Sequence, residues 1–196
     1  MKYNRQLHHR HSIRLKEYDY SQPGAYFFTV VTTGRINLFG KIANGVMDLN
    51  EPGRIVLAAW MDLPNHYPYL ELGTFVIMPN HLHGIVVFTV ETKDTNHGVV
   101  EAGLRPAPTP APTPVPMRRH GLPEIMRAFK SFSARRVNED LGTMGHPLWQ
   151  RNYYEHVIRD EKEWDRIRQY VESNPLRWEQ DHENPAYQAS TNRETS

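Results

Sequence analysis

Cysteine is absent from this chain of 196 residues. Its absence removes disulfides, thiolate nucleophiles and every cysteine-based zinc or iron–sulfur site, so any metal must be held by His, Asp, Glu, Asn or Gln. Long apolar runs are absent too. The longest, Ile55 to Met61 and Ile85 to Phe88, fall far short of the roughly 18 to 20 residues that a membrane helix needs. The N-terminal stretch from Met1 is polar and lacks the apolar core of a secretory signal, so the expected location is the cytoplasm. Net charge is also nearly missing, with 23 Lys+Arg against 22 Asp+Glu. What remains is 39% hydrophobic and 23% charged, a composition that buries a core and leaves much polar loop. The length suits one domain.

The near-neutral total hides an uneven distribution. Residues 1–16 carry Lys2, Arg5, Arg10, Arg14 and Lys16 without a single acid, together with His8, His9 and His11. Residues 118–136 carry Arg118, Arg119, Arg127, Lys130, Arg135 and Arg136 against Glu124 alone. Acids gather at Glu161, Glu163, Asp165 and Glu172 and from Glu179 onward. Basic segments with Tyr3, Tyr18, Tyr20, Phe129 and Phe132 in or beside them suit a partner that offers phosphates and stackable bases. On charge alone the simpler reading is solvated helix and tail.

The run Tyr26 to Thr33 is aromatic and β-branched, bounded by Pro23-Gly24 and Gly34, and predicts a first strand. Asn50-Glu51-Pro52 starts a helix expected to reach Leu63, with Ile55, Ala58 and Ala59 on its apolar stripe. Phe75 to Met78 and His81 to Val90 flank Pro79-Asn80 and predict an antiparallel hairpin central to the sheet. From Arg105 to Pro116 every second residue is proline, which excludes helix and central strand and predicts a polyproline-II arm. Leu122, Ile125, Met126, Phe129 and Phe132 recur at helical spacing over residues 122–138. Tyr153 to Ile158 predicts a short strand, and Glu161 to Ser173 a helix with Trp164, Ile167 and Val171 inward, stopped by Asn174-Pro175. The order describes an α+β, ferredoxin-like (RNA-recognition-motif-like) antiparallel sheet with helices on one face. The expected domain spans 1–178, with 1–20 a basic segment, 101–118 the proline-rich insertion, and 179–196 a polar, disordered tail.

His81 and His83 are two apart in a predicted strand, so both imidazoles leave the same face and can meet one cation. His-x-His also arises by chance in a chain with 11 histidines, and His9-x-His11 illustrates it. Tyr170 and Asn174 are four apart on the last predicted helix and stand on one face, to the side of its apolar stripe. Taken alone, they are more simply a half-buried core edge and a helix cap.

Met78-Pro79-Asn80-His81-Leu82-His83-Gly84 joins with Phe129-Lys130-Ser131, with Trp149 to Arg159, and with Tyr170-Val171-Glu172-Ser173-Asn174-Pro175. Taken together and in this order, these motifs resemble the REP-associated tyrosine transposases, a branch of the single-tyrosine HUH transposases. The likeness runs from about Tyr18 to Trp178 and is interrupted by the proline arm, where the family pattern has a shorter connection. The resemblance implies that His81, His83 and Asn174 hold a divalent cation, Mg²⁺ or Mn²⁺, and that Tyr170 is the nucleophile. It further implies cleavage and rejoining of single-stranded DNA hairpins through a 5′-phosphotyrosine. Arg5, Arg10, Arg14, Lys130 and Arg151 would contact that DNA. The family includes monomers and domain-swapped homodimers, and no membrane partner is expected. Tyr153 and Tyr154 are rival nucleophiles that lack a ligand partner four residues on. Two alternatives stay open: a module that binds hairpins without cutting them, and a metallohydrolase using water.

Overall fold

Aromatic and β-branched residues favour a pleated, half-buried surface, and Tyr26 to Val31 accordingly form most of β1 (Gly24–Val31). The structure, a computed structural model, describes residues 18–89 and 119–194, with only the backbone described for 190–194. Arg5, Arg10, Arg14 and the proline-rich arm therefore lie outside the described residues. After β1 comes a separate hairpin of β2 (Gly40–Ala43) and β3 (Val46–Leu49). Its turn residues, Asn44 and Gly45, both have positive φ, 53° and 74°. The hairpin is additional to the expected elements, and its signal is that Asn-Gly dipeptide, the pair that tolerates left-handed backbone best.

α1 (Glu51–Met61) begins where Asn50 accepts the Gly53 N–H at 3.0 Å, and a short α2 (Leu63–His66) follows it. β4 (Leu70–Ile77) and β5 (His81–Phe88) flank the Pro79-Asn80 turn. α3 (Leu122–Leu141), β6 (Tyr154–Ile158) and α4 (Glu161–Ser173) come next. A 3₁₀ turn over Pro175–Gln180 leads to α5 (Pro185–Glu194).

Four strands form one antiparallel sheet in the order β4-β5-β1-β6. The expected α+β class, an antiparallel sheet with helices packed on it, is what forms. On one face Phe28, Val30, Leu82 and Val86 meet Val56, Trp60, Ile125 and Phe129 of α1 and α3. Alternation along the strands sends Phe27 and Ile85 to the second face, where Ile167 and Val171 of α4 cover them. α4 thus departs from the side of α1 and α3, and brings its polar edge over the middle of the sheet. Among the described residues no helix is long and apolar enough to cross a membrane.

The expectation of a disordered tail beyond residue 178 is corrected. Arg35 Nε pairs with Glu183 Oε2 at 2.6 Å, and Asn80 Nδ2 donates to Glu183 O at 2.6 Å, so the segment is tied to the end of the sheet. Asn184 is buried and accepts the Ala186 N–H at 3.0 Å, capping α5 as Asn50 caps α1.

Candidate metal centre and nucleophile

Strand alternation places His81 and His83 on the α4 side of β5, opposite Val31 and Thr29 of β1. Both imidazoles are buried, and their Nε2 atoms stand 3.0 Å apart. The back of each ring is held by a neighbour. Asn80 spends its amide N–H groups on the carbonyls of Arg35, at 3.0 Å, and Glu183, at 2.6 Å. Its Oδ1 is left to accept from His81 Nδ1 at 2.8 Å, so that nitrogen carries the proton and His81 Nε2 presents a bare lone pair. His83 Nδ1 lies 2.7 Å from Thr29 Oγ1, a hydroxyl that can donate or accept. With its proton on Nε2, His83 hydrogen-bonds His81; with its proton on Nδ1, both Nε2 lone pairs converge on one point. Burial drives the pKa of His83 down to about 3, and burial together with the neighbouring ring drives that of His81 well below its ordinary value. Both rings are thus neutral at physiological pH, the form that ligates metals.

α4 supplies the phenol. Asp160 caps the helix by accepting the Glu163 N–H at 2.8 Å, and Ile167 and Val171 seat it on Phe27 and Ile85. Tyr170 OH then lies 3.3 Å from His83 Nε2 of the same chain, while its ring meets the Phe27 ring edge-on at 6.1 Å. Burial, then the Asp181 carboxylate, raises the phenol's pKa above its ordinary value; a hydrogen bond from the Asn174 side chain acts the other way. Asn174 sits one turn on from Tyr170 and is buried, and its Oδ1 has no hydrogen-bond partner among the described residues. A buried amide oxygen without a partner costs about 1–3 kcal/mol, which a ligand in reach would recover.

Asp181 is the group that the sequence reading missed. Its carboxylate approaches His81 Nε2 to 3.9 Å, and the donor atoms of His81, His83 and Asp181 all lie within 4.8 Å of one another. Burial raises its pKa. The signal that could have found it is Asn184-Pro185, a helix start that implies an ordered segment rather than a tail. Two neutral imidazoles and a carboxylate make a donor set that fits a divalent cation and leaves room for further ligands.

The remaining sequence candidates fall elsewhere. Lys130 lies on α3 and donates to the carbonyls of Gln150, at 2.6 Å, and Arg151, at 2.9 Å, with burial lowering its pKa. With Arg127, Arg151 and Tyr153 it lines a separate cleft of about 440 Å³. Tyr154, by contrast, stands beside Phe27 near Tyr170, with ring centroids 6.0 Å apart. His156 donates to Glu163 at 2.7 Å, fastening β6 to α4.

Comparison with known proteins adds the following. No family model matches the chain. An uncharacterized protein of Haemophilus influenzae is 41% identical over 182 residues, covering 92% of this chain and 96% of that protein, and the two belong to one family. A second Haemophilus influenzae protein, named "Putative REP-associated tyrosine transposase", is 26% identical over 159 residues, covering 81% of this chain and 74% of that protein. Among solved structures, a REP-associated tyrosine transposase bound to a REP hairpin superimposes with a TM-score of 0.52 at 18% identity, over 84% of this chain and 74% of that one. At that identity the likeness is one of fold.

Proposed function

From a chain that resembles the REP-associated tyrosine transposases in sequence and fold, we infer a metal-dependent transposase of the HUH single-tyrosine kind, which cleaves and rejoins single-stranded DNA at REP-like hairpins. The observation that carries this reading is the placement of Tyr170 OH 3.3 Å from His83 Nε2, which is itself 3.0 Å from His81 Nε2.

His81 and His83 are the paired ligands, and Asn174 and Asp181 can complete the set with oxygen. A Mg²⁺ or Mn²⁺ ion held there would withdraw charge from the scissile phosphate and favour the phenolate over the phenol. Tyr170 is pre-positioned by α4, so its oxygen meets phosphorus without a search through rotamers. As its O–P bond forms, the bond from phosphorus to the 3′-oxygen breaks, and that oxygen takes up a proton to become a free 3′-hydroxyl. The product is a 5′-phosphotyrosine. The bond made and the bond broken are both phosphodiester bonds, so attack by a 3′-hydroxyl reverses the step and permits strand transfer without a nucleotide triphosphate.

Lys130 and Arg151, joined by Arg127, would hold DNA phosphates along the α3 side. Arg5, Arg10 and Arg14 would extend that contact from the N-terminal segment. A second reading has its own observation. The Asp181 carboxylate beside the histidines could take a proton from water, giving a metallohydrolase in which Tyr170 only lines the site.

Incubation of a hairpin oligonucleotide with the protein and Mn²⁺ separates these readings. The transposase reading expects a covalent protein–DNA adduct on denaturing gels that Tyr170→Phe lacks. Nicking that survives Tyr170→Phe without an adduct selects the hydrolase. Binding without either product leaves a non-catalytic hairpin-binding module.

A further inference from the structure

Beside the nucleophile, on the side away from the histidines, lies an open cleft of about 270 Å³ that plays no part in ligating a cation. Phe27, Tyr154, His156, Arg166, Ile167 and Tyr170 line it. We propose that this cleft is a nucleotide subsite: it receives the base of one nucleotide flanking the scissile phosphate, stacked on Tyr154, with Arg166 on that nucleotide's phosphate. The inference rests on Tyr170 as the nucleophile and adds where the substrate strand lies.

Three features of the cleft point to a nucleotide. Its aromatic walls are unusually bare: Tyr154 is 46% exposed and Tyr170 42% exposed, both ringed around the buried Phe27 at centroid distances of 6.0 and 6.1 Å. Leaving two large rings in water on either side of a buried one suits a planar guest, which every base can supply through its π-face. The volume lies just under the roughly 300 Å³ at which pockets for drug-sized molecules begin, so it suits one ring system and not a duplex.

The charge has the same sense. Among the described residues no carboxylate lines the cleft. Glu163, which contacts the lining residues His156 and Arg166, is already committed to His156 at 2.7 Å and to the Arg159 N–H at 2.9 Å. Arg166 makes a long, 3.4 Å contact with Glu163, and its side chain is 75% exposed. Its guanidinium can leave that contact for a phosphate at little cost, and a bidentate Arg–phosphate pair is the stronger one. An aromatic floor with one loosely held guanidinium at the rim, adjoining a phosphoryl-attacking group, is the pairing that a single-stranded nucleotide satisfies.

The test uses a hairpin oligonucleotide whose scissile phosphate is first located from the wild-type adduct. 2-Aminopurine is then placed in turn at each base flanking that phosphate, and the oligonucleotide is bound to Tyr170→Phe protein in Mn²⁺ so that nothing is cleaved. The subsite predicts quenched fluorescence at one of the two positions, restored when Tyr154→Leu is added and kept when Tyr154→Phe is added. In protein retaining Tyr170, Tyr154→Leu should raise KM for adduct formation on the order of tenfold, the scale of one lost base stack, with a smaller change in kcat. Arg166→Gln should raise KM less and flatten its salt dependence. The subsite is refuted if quenching is absent at both positions, or persists in Tyr154→Leu, while the wild-type protein still forms its adduct. A wild-type protein that forms no adduct under any of these conditions fails the nuclease reading first, and this inference falls with it.

Discussion

At the scale of single residues, the site depends on which nitrogen of each histidine bears the proton. Asn80 decides this for His81, because both its amide hydrogens are committed to carbonyls and only its oxygen is free. Thr29 does not decide it for His83 but accommodates either state, since its hydroxyl can rotate. Replacing that hydroxyl by a methyl of the same shape leaves the His83 Nδ1–H with no acceptor when the Nε2 lone pair must face the cation. Thr29→Val should therefore still fold, shown by a single cooperative melt in EDTA, yet weaken Mn²⁺ binding by about 10- to 100-fold in calorimetry. Equal affinity in the variant would mean that Thr29 does not hold the ring. The paired histidines were legible because strand alternation forces residues two apart to one face, and Tyr170 with Asn174 because a helix does the same for residues four apart. Asp181 was not legible. It follows a 3₁₀ turn, where neither period applies, and its approach to His81 depends on contacts with distant residues.

At the scale of elements, the long periodic segments were readable and the short ones were not. The stop of α4 at Asn174-Pro175 and the start of α1 at Asn50 were read correctly, because caps and prolines act locally. The β2–β3 hairpin went unread, since strands of four residues carry little periodicity and only Asn44-Gly45 marks them. Nor did the sequence say that α4 would take the second face, which follows from Phe27 and Ile85 needing cover there. What fixes the rotation of α4, and so the phenol, includes the clasp from Glu163 to the Arg159 N–H and to His156. Those bonds hold the Glu163 carboxyl below its ordinary pKa of 4.5, the Arg159 N–H being the larger cause. A carboxyl whose pKa is depressed by folding stabilises the protein above its unfolded pKa, and that contribution disappears as pH falls through the folded value. Glu163→Gln should therefore cost up to about 1 kcal/mol at pH 7, within the range of exposed charged pairs. The gap from wild type should close as denaturation is repeated toward pH 3. A gap independent of pH would assign the loss to packing.

At the scale of the whole molecule, the site is assembled from parts of the chain that are remote in sequence. β5 brings the imidazoles, α4 the phenol, and the segment after the 3₁₀ turn brings Asp181 and hands Glu183 O to Asn80, the residue that orients His81. Arg35 pins that segment a second time through Glu183. A cation held by these groups cross-links the centre of the sheet to the C-terminal segment, so binding should be paid back as global stability. For a ligand that binds only the folded state, a free concentration of 100 times Kd adds about 2.7 kcal/mol. In a chain of this size that corresponds to a rise of roughly 5–10 °C in melting temperature. The expectation is a shift of that order with Mn²⁺ over EDTA for the wild type and no shift for His81→Ala. Asp181→Asn should give an intermediate shift, because it removes the charge but keeps an oxygen donor and leaves the Glu183 contacts in place. If Asp181→Asn behaves as the wild type while His81→Ala loses the shift, the C-terminal segment only lies against the site. If His81→Ala keeps the shift, the cation binds elsewhere and the imidazole pair is not its site.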